Sequence, residues 1–320
     1  MFDYCIFHKG CLDGFSGYTI AYNSGKLTRD AFIYQDVPQT NKVPPNIDHR
    51  DILIIDVAYK KEILEIIFRY AKSVVFIDHH VSIHQDTVEL EKKYGKNKNI
   101  TIIYDVNHAG CMLTWKFFHK RQTPPRFLKY VEDQDTGTWK YKRTKPFIFA
   151  LKAYFNLSID QSSINKWFRL MNDEMVDRMI RRGRVIKKYN DHLIGTNLPK
   201  HSRERFPSQK VFKMNPRIFK NPGQYTVAVF NGVGCPSITD LAVEALHRIE
   251  CDFIIMWTMN LDSRAYVMSM RSKVVDVSKI CQIFGGGGHE LAAACSFNMS
   301  LMNLTEIFEG SSLPRAFKSQ

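Results

Sequence analysis

No apolar run in the chain approaches the roughly 20 residues that a bilayer-spanning helix needs. The longest, such as DFIIMW at 252–257, have the length of a strand. A helical integral membrane protein is therefore excluded. CxxC pairs are also missing. The seven cysteines, Cys5, Cys11, Cys111, Cys235, Cys251, Cys281 and Cys295, are odd in number and scattered, which argues against both a disulfide framework and a zinc ribbon. The segment MFDYCIFHKG has an acid at position 3 and no basic stretch ahead of an apolar core, so no secretory signal is expected and a cytosolic location follows. Internal repeats and low-complexity segments are absent as well.

What is present is a chain of 320 residues, 44% hydrophobic and 24% charged, with 22 Phe and 14 Tyr to fill cores. That length suits two ordinary domains, and that composition excludes global disorder. The formal net charge is +13, and it is concentrated. Residues 138–220 hold 20 basic and 6 acidic side chains, a net +14, which leaves 25 basic and 26 acidic elsewhere, a net −1. Charge of one sign gathered in one segment points to an anionic partner.

Short β-rich runs at 2–7, 31–34, 51–56, 73–78 and 100–104 alternate with stretches patterned as helices at 14–24, 60–71 and 109–121. Continuous apolar runs separated by helices predict a buried parallel sheet. In the second helix Ile63, Leu64, Ile67 and Tyr70 form one face. Residues 160–190 read as one long basic helix with Met171, Met175, Met179 and Ile186 as an apolar stripe. Residues 195–223 collect prolines and glycines without periodicity and read as a linker. A second, smaller α/β unit with a mixed sheet follows, with strands at 225–232, 251–257 and 265–271 and a helix near 237–248. The expected division is 1–194, a linker at 195–223, and 224–320.

In open α/β sheets ligands gather beyond the carboxyl ends of the strands. Three runs end in chemistry-bearing residues: HKGCLDG brings His8, Cys11 and Asp13, the third run ends at Asp56, and the fourth at Asp78, His79 and His80. A single histidine after a strand is ordinarily a surface group. Imidazoles and carboxylates sent to one edge from three strands would repel or bury unpaired charge unless a cation sat among them. A metal site is the economical reading.

These residues carry a resemblance. HKGCLDG, the aspartate of IIDVAY, FIDHH and EDQDTG resemble the four motifs of the DHH phosphoesterase superfamily. The C-terminal MSMRSKVVDVSKICQIFGGGGHELAAACSF is similar to the DHH-associated domain. The likeness spans most of the chain except about 140–220. It implies a two-domain metal-dependent phosphohydrolase, related to oligoribonucleases and exonucleases, with its active site in the cleft between domains. It further implies that His8 binds one metal, that Asp56 bridges two, and that Asp13, His79 and a motif-four aspartate complete the second site, with Asp78 and His80 in orienting and assisting catalytic roles. Manganese is the expected ion, two per site, with magnesium as the other hard cation. Such a pair generates hydroxide and stabilises in-line displacement at phosphorus.

Two positions stay open. Cys11 stands where many relatives carry an aspartate, and it reads either as a thiolate ligand or as a half-buried turn residue. Both Asp133 and Asp135 are available for motif four, and Asp135 fits the pattern better.

In the C-terminal half, Gly286, Gly287 and Gly288 within GGGGH would let backbone approach a phosphate, with His289 donating and Arg271 as a guanidinium fork; a flexible linker and an exposed arginine are the competing readings. The basic middle, with Tyr141, Tyr154, Phe155, Trp167 and Phe168 interspersed, reads either as a solvated helix face or as a track for single-stranded nucleic acid. The expected function is hydrolysis of phosphodiester or phosphomonoester bonds in short oligonucleotides, single-strand ends or small nucleotides, with no membrane partner. The alternatives are a nucleic-acid-binding protein with a degenerate site, and a pyrophosphatase or polyphosphatase.

Overall fold

The computed structural model describes residues 1–233 and 237–310. Cys235 and the last ten residues of the expected second domain lie outside the described residues. The chain divides into two compact units, Met1–Lys187 and Lys188–Gln320.

The first unit begins β1 (Phe2–His8), α1 (Leu12–Asn23), β2 (Leu27–Asp36), β3 (Asp51–Ile55), α2 (Lys61–Tyr70), β4 (Ser73–Asp78), α3 (His84–Tyr94), β5 (Ile100–Tyr104), α4 (Gly110–Phe118). The strands form a five-stranded sheet in the order β2-β1-β3-β4-β5, parallel throughout. Successive strand residues face opposite sides, so a run such as YCIF fills two cores at once. Tyr4 and Ile6 pack with Ile52, Ile54, Leu64 and Phe76. Cys5 and Phe7 pack on the other side with Phe15, Leu53, Phe127 and Trp167. The uninterrupted apolar runs of the sequence reflect this double burial. In α2 the buried face is Ile63, Leu64, Ile67 and Phe68, whereas Tyr70 is exposed. From β1 the sheet grows one way to β2 and the other way to β3, β4 and β5, so the order reverses between β1 and β3.

The unit continues with α5 (Arg126–Asp135), α6 (Thr144–Tyr154), α7 (Gln161–Phe168) and α8 (Asp173–Asn197). The single helix expected at 160–190 is thus two, separated by a short 3-10 turn at Arg169–Met171 and extended backbone at Asn172. Asp160 caps α7 by accepting from the Ser163 N–H. Met179 and Val176 are buried on α8, and Met171 and Met175 pack partly buried against the same core, so the methionine stripe is structural. Gly183 lies mid-helix because α6 crosses there: a Cβ would fall 1.6 Å from the Pro146 carbonyl oxygen.

The second unit holds β6 (Ser202–Phe206), α9 (Gln209–Met214), β7 (Tyr225–Asn231), α10 (Ile238–Arg248), β8 (Phe253–Asn260), β9 (Ala265–Ser272), α11 (Val277–Ile283), β10 (Gly287–His289) and β11 (Ala292–Asn298). Its mixed six-stranded sheet runs β10-β11-β9-β8-β7-β6, with β7 and β8 parallel. The segment read as a linker is corrected here. It supplies the edge strand β6, paired antiparallel to β7, and α9, capped by Ser208. Its prolines punctuate short elements rather than an unstructured tether. Among the described residues no helix is long and apolar enough to cross a membrane.

Candidate metal centre

The carboxyl ends of β1, β3 and β4 lie side by side, so His8, Asp56 and the run Asp78, His79, His80 emerge at one edge. Asp13 comes from the first turn of α1 and Asp135 from the last residue of α5. These side chains form two groups, His8 with Asp56 and His80, and Asp13 with His79 and Asp135. In each group one ligand atom per residue lies within 4.8 Å of the others. Asp56 touches both. Its Oδ2 is 3.2 Å from His8 Nδ1, and its Oδ1 is 3.2 Å from His79 Nε2 and 3.7 Å from His80 Nδ1. His79 Nε2 is also 3.3 Å from Asp135 Oδ2 and 3.6 Å from Asp13 Oδ2.

Local backbone sets each group. Asp56 adopts φ +60°, a left-handed conformation that aspartate tolerates better than most residues, while its N–H donates to the Ile77 carbonyl. Asp78 is fully buried; its Oδ1 accepts from the His79 and His80 backbone N–H groups at 2.7 and 2.8 Å and lies 2.9 Å from His80 Nδ1. Its other oxygen is buried without a hydrogen-bond partner. Asp13 is clamped at the start of α4, where Gly110 N–H donates to Oδ2 at 2.7 Å and Cys111 N–H to Oδ1 at 2.8 Å. A Cβ on Gly110 would lie 2.9 Å from both Asp13 Oδ2 and Asp56 Cβ, so only glycine fits. His108 Nδ1, just upstream, is 2.7 Å from Glu132 Oε1.

Gly110, Cys111, His108 and Glu132 were not singled out from the sequence. The signal was the small pair Ala109-Gly110 opening a helix after a strand and a turn.

The remaining two candidates stand apart. Cys11 precedes α1, half-buried, and belongs to neither group. Burial, then the charges of Asp56 and Asp13, push its thiol up, away from the thiolate a ligand requires. Asp133 is likewise outside both groups. It accepts from Thr138 Oγ1 at 2.8 Å, Lys140 N–H at 2.6 Å, Tyr141 N–H at 3.1 Å, and from the Thr144 hydroxyl. It organises the loop after α5, and Asp135 is the motif-four residue that reaches the cluster. His80, expected to assist, lies with His8 and Asp56 in one of the two groups that could hold an ion.

The protonation demands of the cluster conflict. Burial, and then repulsion from Asp56, raise the carboxyls of Asp13 and Asp135. Burial opposes ionisation of Asp56 too, but the contacts to His79 and His8 outweigh it and hold its carboxyl at about 2. His79 is raised to about 9, because Asp56, Asp13 and Asp135 overcome the cost of burying its cation. His79 thus stands in for positive charge that the carboxylates call for. Hard carboxylate oxygens with imidazole nitrogens, in two groups that meet at the Asp56–His79 contact, are a donor set that could hold divalent metal ions.

In the second unit, α10 covers β7 and β8 on one face through Leu241, Ala242 and Ala245. On β9, β11 and β10 the same face carries half-buried Arg271 and Ala292 and exposed Ala294, Ser296 and His289. Register places Arg271 opposite Ala292, and Ala292 opposite His289, so arginine and histidine flank a small residue in one cross-strand row. Arg271 Nη1 donates to Ser269 Oγ at 3.1 Å and to the Met270 carbonyl at 2.8 Å.

The glycine run is not a linker. Gly286 and Gly288 are required by packing, since their Cβ atoms would fall 2.2 Å from the Ala294 carbonyl oxygen and 2.6 Å from the Ala292 carbonyl oxygen. Gly287 alone of the three faces open space.

No protein-family model matches the chain. It is 24% identical over 311 residues to an uncharacterized protein of Acanthamoeba polyphaga mimivirus, covering 92% of this chain and 68% of that one. Its fold is shared with a pGpG-specific phosphodiesterase of Vibrio cholerae, at a TM-score of 0.52 and 15% identity, over 93% of this chain and 94% of the other. That likeness bears out the two-unit α/β fold expected from the sequence.

Proposed function

We propose that the chain is a divalent-metal-dependent phosphoesterase, hydrolysing phosphodiester or phosphomonoester bonds in short oligonucleotides, single-strand ends or small nucleotides. The observation that carries this reading is the pair of His/Asp groups joined through Asp56 at the reversal point of the parallel sheet. His8, Asp56 and His80 would hold one ion, and Asp13, His79 and Asp135 the other. Bound there, manganese or magnesium supplies a hydroxide at neutral pH and neutralises charge developing on phosphorus oxygens.

The chain's own residues do the rest. The α4 amides fix Asp13 so that its carboxylate is oriented without side-chain freedom. Asp78 holds His80 through Nδ1, which sets the ring and would leave Nε2 for the ion. In the second unit, the Arg271–Ala292–His289 row suits an anionic group, with Gly287 allowing close approach of backbone.

The test is a product assay of the purified protein with chelator and then manganese, against pyrophosphate, a dinucleotide, a cyclic dinucleotide and a labelled longer strand. Hydrolysis of the dinucleotide only when manganese is returned is expected. Undiminished activity in chelator, or cleavage of pyrophosphate alone, would overturn the reading.

A further inference from the structure

Asp133 spends both carboxylate oxygens on the loop that follows α5, and that loop displays aromatic rings to solvent. Trp139, four residues beyond Asp135, is 46% exposed and sits at φ +49°. Holding a bulky residue in the left-handed region costs on the order of 1–2 kcal/mol. The Trp139 N–H donates to the Asp133 carbonyl, so the chain ties down a strained backbone to present an exposed ring. A solvated loop would need neither the strain nor the four-fold anchoring of Asp133.

Positive charge accompanies the rings. Lys145 Nζ lies 5.4 Å from the Trp139 ring centre and Lys140 Nζ 5.7 Å from that of Tyr141. The next residue, Pro146, touches α8 at Gly183. Beside Gly183, the Arg182 guanidinium lies 5.0 Å from the centre of the exposed Tyr154 ring. Arg178, Arg181, Arg182 and Val185 follow the i, i+3, i+4, i+7 spacing of one helix face, and all four are exposed. The loop after Asp135 and the arginine-bearing helix α8 thus both adjoin α6, which crosses α8 at the buried Pro146–Gly183 contact.

We propose that this surface binds single-stranded nucleic acid, with phosphates along the arginine face and bases stacked on Trp139, Tyr141 and Tyr154. Charge complementarity identifies a polyanion, because the part of the basic segment that lies in the first unit, residues 138–187, holds 12 basic and 4 acidic side chains. The exposed rings identify one whose bases are unpaired, since a duplex keeps its base faces stacked and offers little to an aromatic platform. The inference deepens the phosphoesterase reading by assigning that site a strand as partner, and it rests on that reading only for the strand being a substrate.

The test is fluorescence anisotropy on the full chain in chelator, with labelled oligouridylate and oligothymidylate of twelve residues, a two-residue oligomer and a duplex of the same length. The twelve-residue strands should bind at least tenfold tighter than the other two. A variant carrying Arg181→Gln and Arg182→Gln should weaken the long strand about tenfold and flatten its log–log salt dependence by about 1.4, at roughly 0.7 per lost phosphate contact. Trp139→Ala, and independently Tyr154→Leu, should each weaken it roughly fivefold or more. Thermal melts report whether each variant is folded, and the second aromatic variant serves if the first is not.

Equal affinity for strand, duplex and two-residue oligomer, or unchanged affinity in the folded variants, would overturn the proposal. Strand binding that passes these tests, with neither the strand nor the dinucleotide hydrolysed when manganese is added, would instead remove the phosphoesterase reading and leave the binding surface standing.

Discussion

Asp133 and Asp135, two residues apart at the end of α5, face opposite ways. The first turns both oxygens into the following loop, while the second lies 3.3 Å from His79 Nε2 in the cluster. Removing the first should strip acceptors from Thr138, Thr144 and two backbone N–H groups, a buried loss of about 3 kcal/mol. Removing the second deletes a carboxylate whose burial is unfavourable. Urea unfolding should therefore show Asp133→Ala strongly destabilised and Asp135→Ala as stable as the parent. Calorimetric titration with manganese should show at least a tenfold loss for Asp135→Ala. A folded Asp133→Ala protein that has lost metal affinity would reverse the two roles.

Metal should raise the melting temperature of the parent chain in proportion to the logarithm of free manganese above its dissociation constant. In Asp56→Ala, where one group loses its carboxylate and His79 of the other loses its contact to it, that rise should vanish and hydrolysis fall about a hundredfold or more. His79→Ala should behave similarly. Cys11→Ser should bind manganese within about twofold of the parent, since the sulfur belongs to neither group. A tenfold loss there would place the thiol among the ligands.

The cross-strand row of the second unit makes a steric prediction. Ala292→Leu should fill the space between Arg271 and His289 and weaken nucleotide binding about tenfold at little cost in stability, because Ala292 is only half-buried and its neighbour His289 is exposed. Gly287→Ala, with nothing within 4 Å of the new atom, should fold normally, whereas Gly286→Ala should be destabilised by backbone contact at 2.2 Å. Equal melting temperatures for the two glycine variants would contradict this packing.

Asp276 caps α11 by accepting from the Ser278 and Lys279 N–H groups. Hydrogen bonds from Ser278 and then Lys279 hold its carboxyl at about 2. Because this folded-state value lies below the ordinary one, the stabilisation is complete above pH 4 and is lost as pH falls toward 2. Asp276→Ala should cost about 1 kcal/mol at pH 7, and the gap from the parent should close over that acid window in urea titrations. A gap that stays constant down to pH 2 would remove the cap from the account.

Much of the site was legible because its members end strands. His8, Asp56, Asp78 and His79 each follow an apolar run whose double burial leaves no face for them except the sheet edge. What the sequence did not disclose lies in backbone donors and helix crossings. The clamp on Asp13 comes from amides of α4, nearly a hundred residues away, and amides have no signature in a string of side chains. The break at Asn172 was hidden because basic residues and methionines keep a helical period on both sides of it. Asp133 and Asp135 look alike in sequence, and only the direction of a helix end separates them. Gly183 reads as a flaw in a helix until Pro146 is seen against it.

The left-handed backbone at Asp56 sets stability and chemistry against each other at one position. Glycine there would relax φ and also remove a buried carboxylate, so Asp56→Gly should unfold at higher urea than Asp56→Ala, and it need not fall below the parent. A library sorted for thermal tolerance alone would then enrich chains that have discarded the residue at which the two groups meet. Any attempt to harden this scaffold should hold Asp56 constant, or score variants on manganese uptake as well as heat.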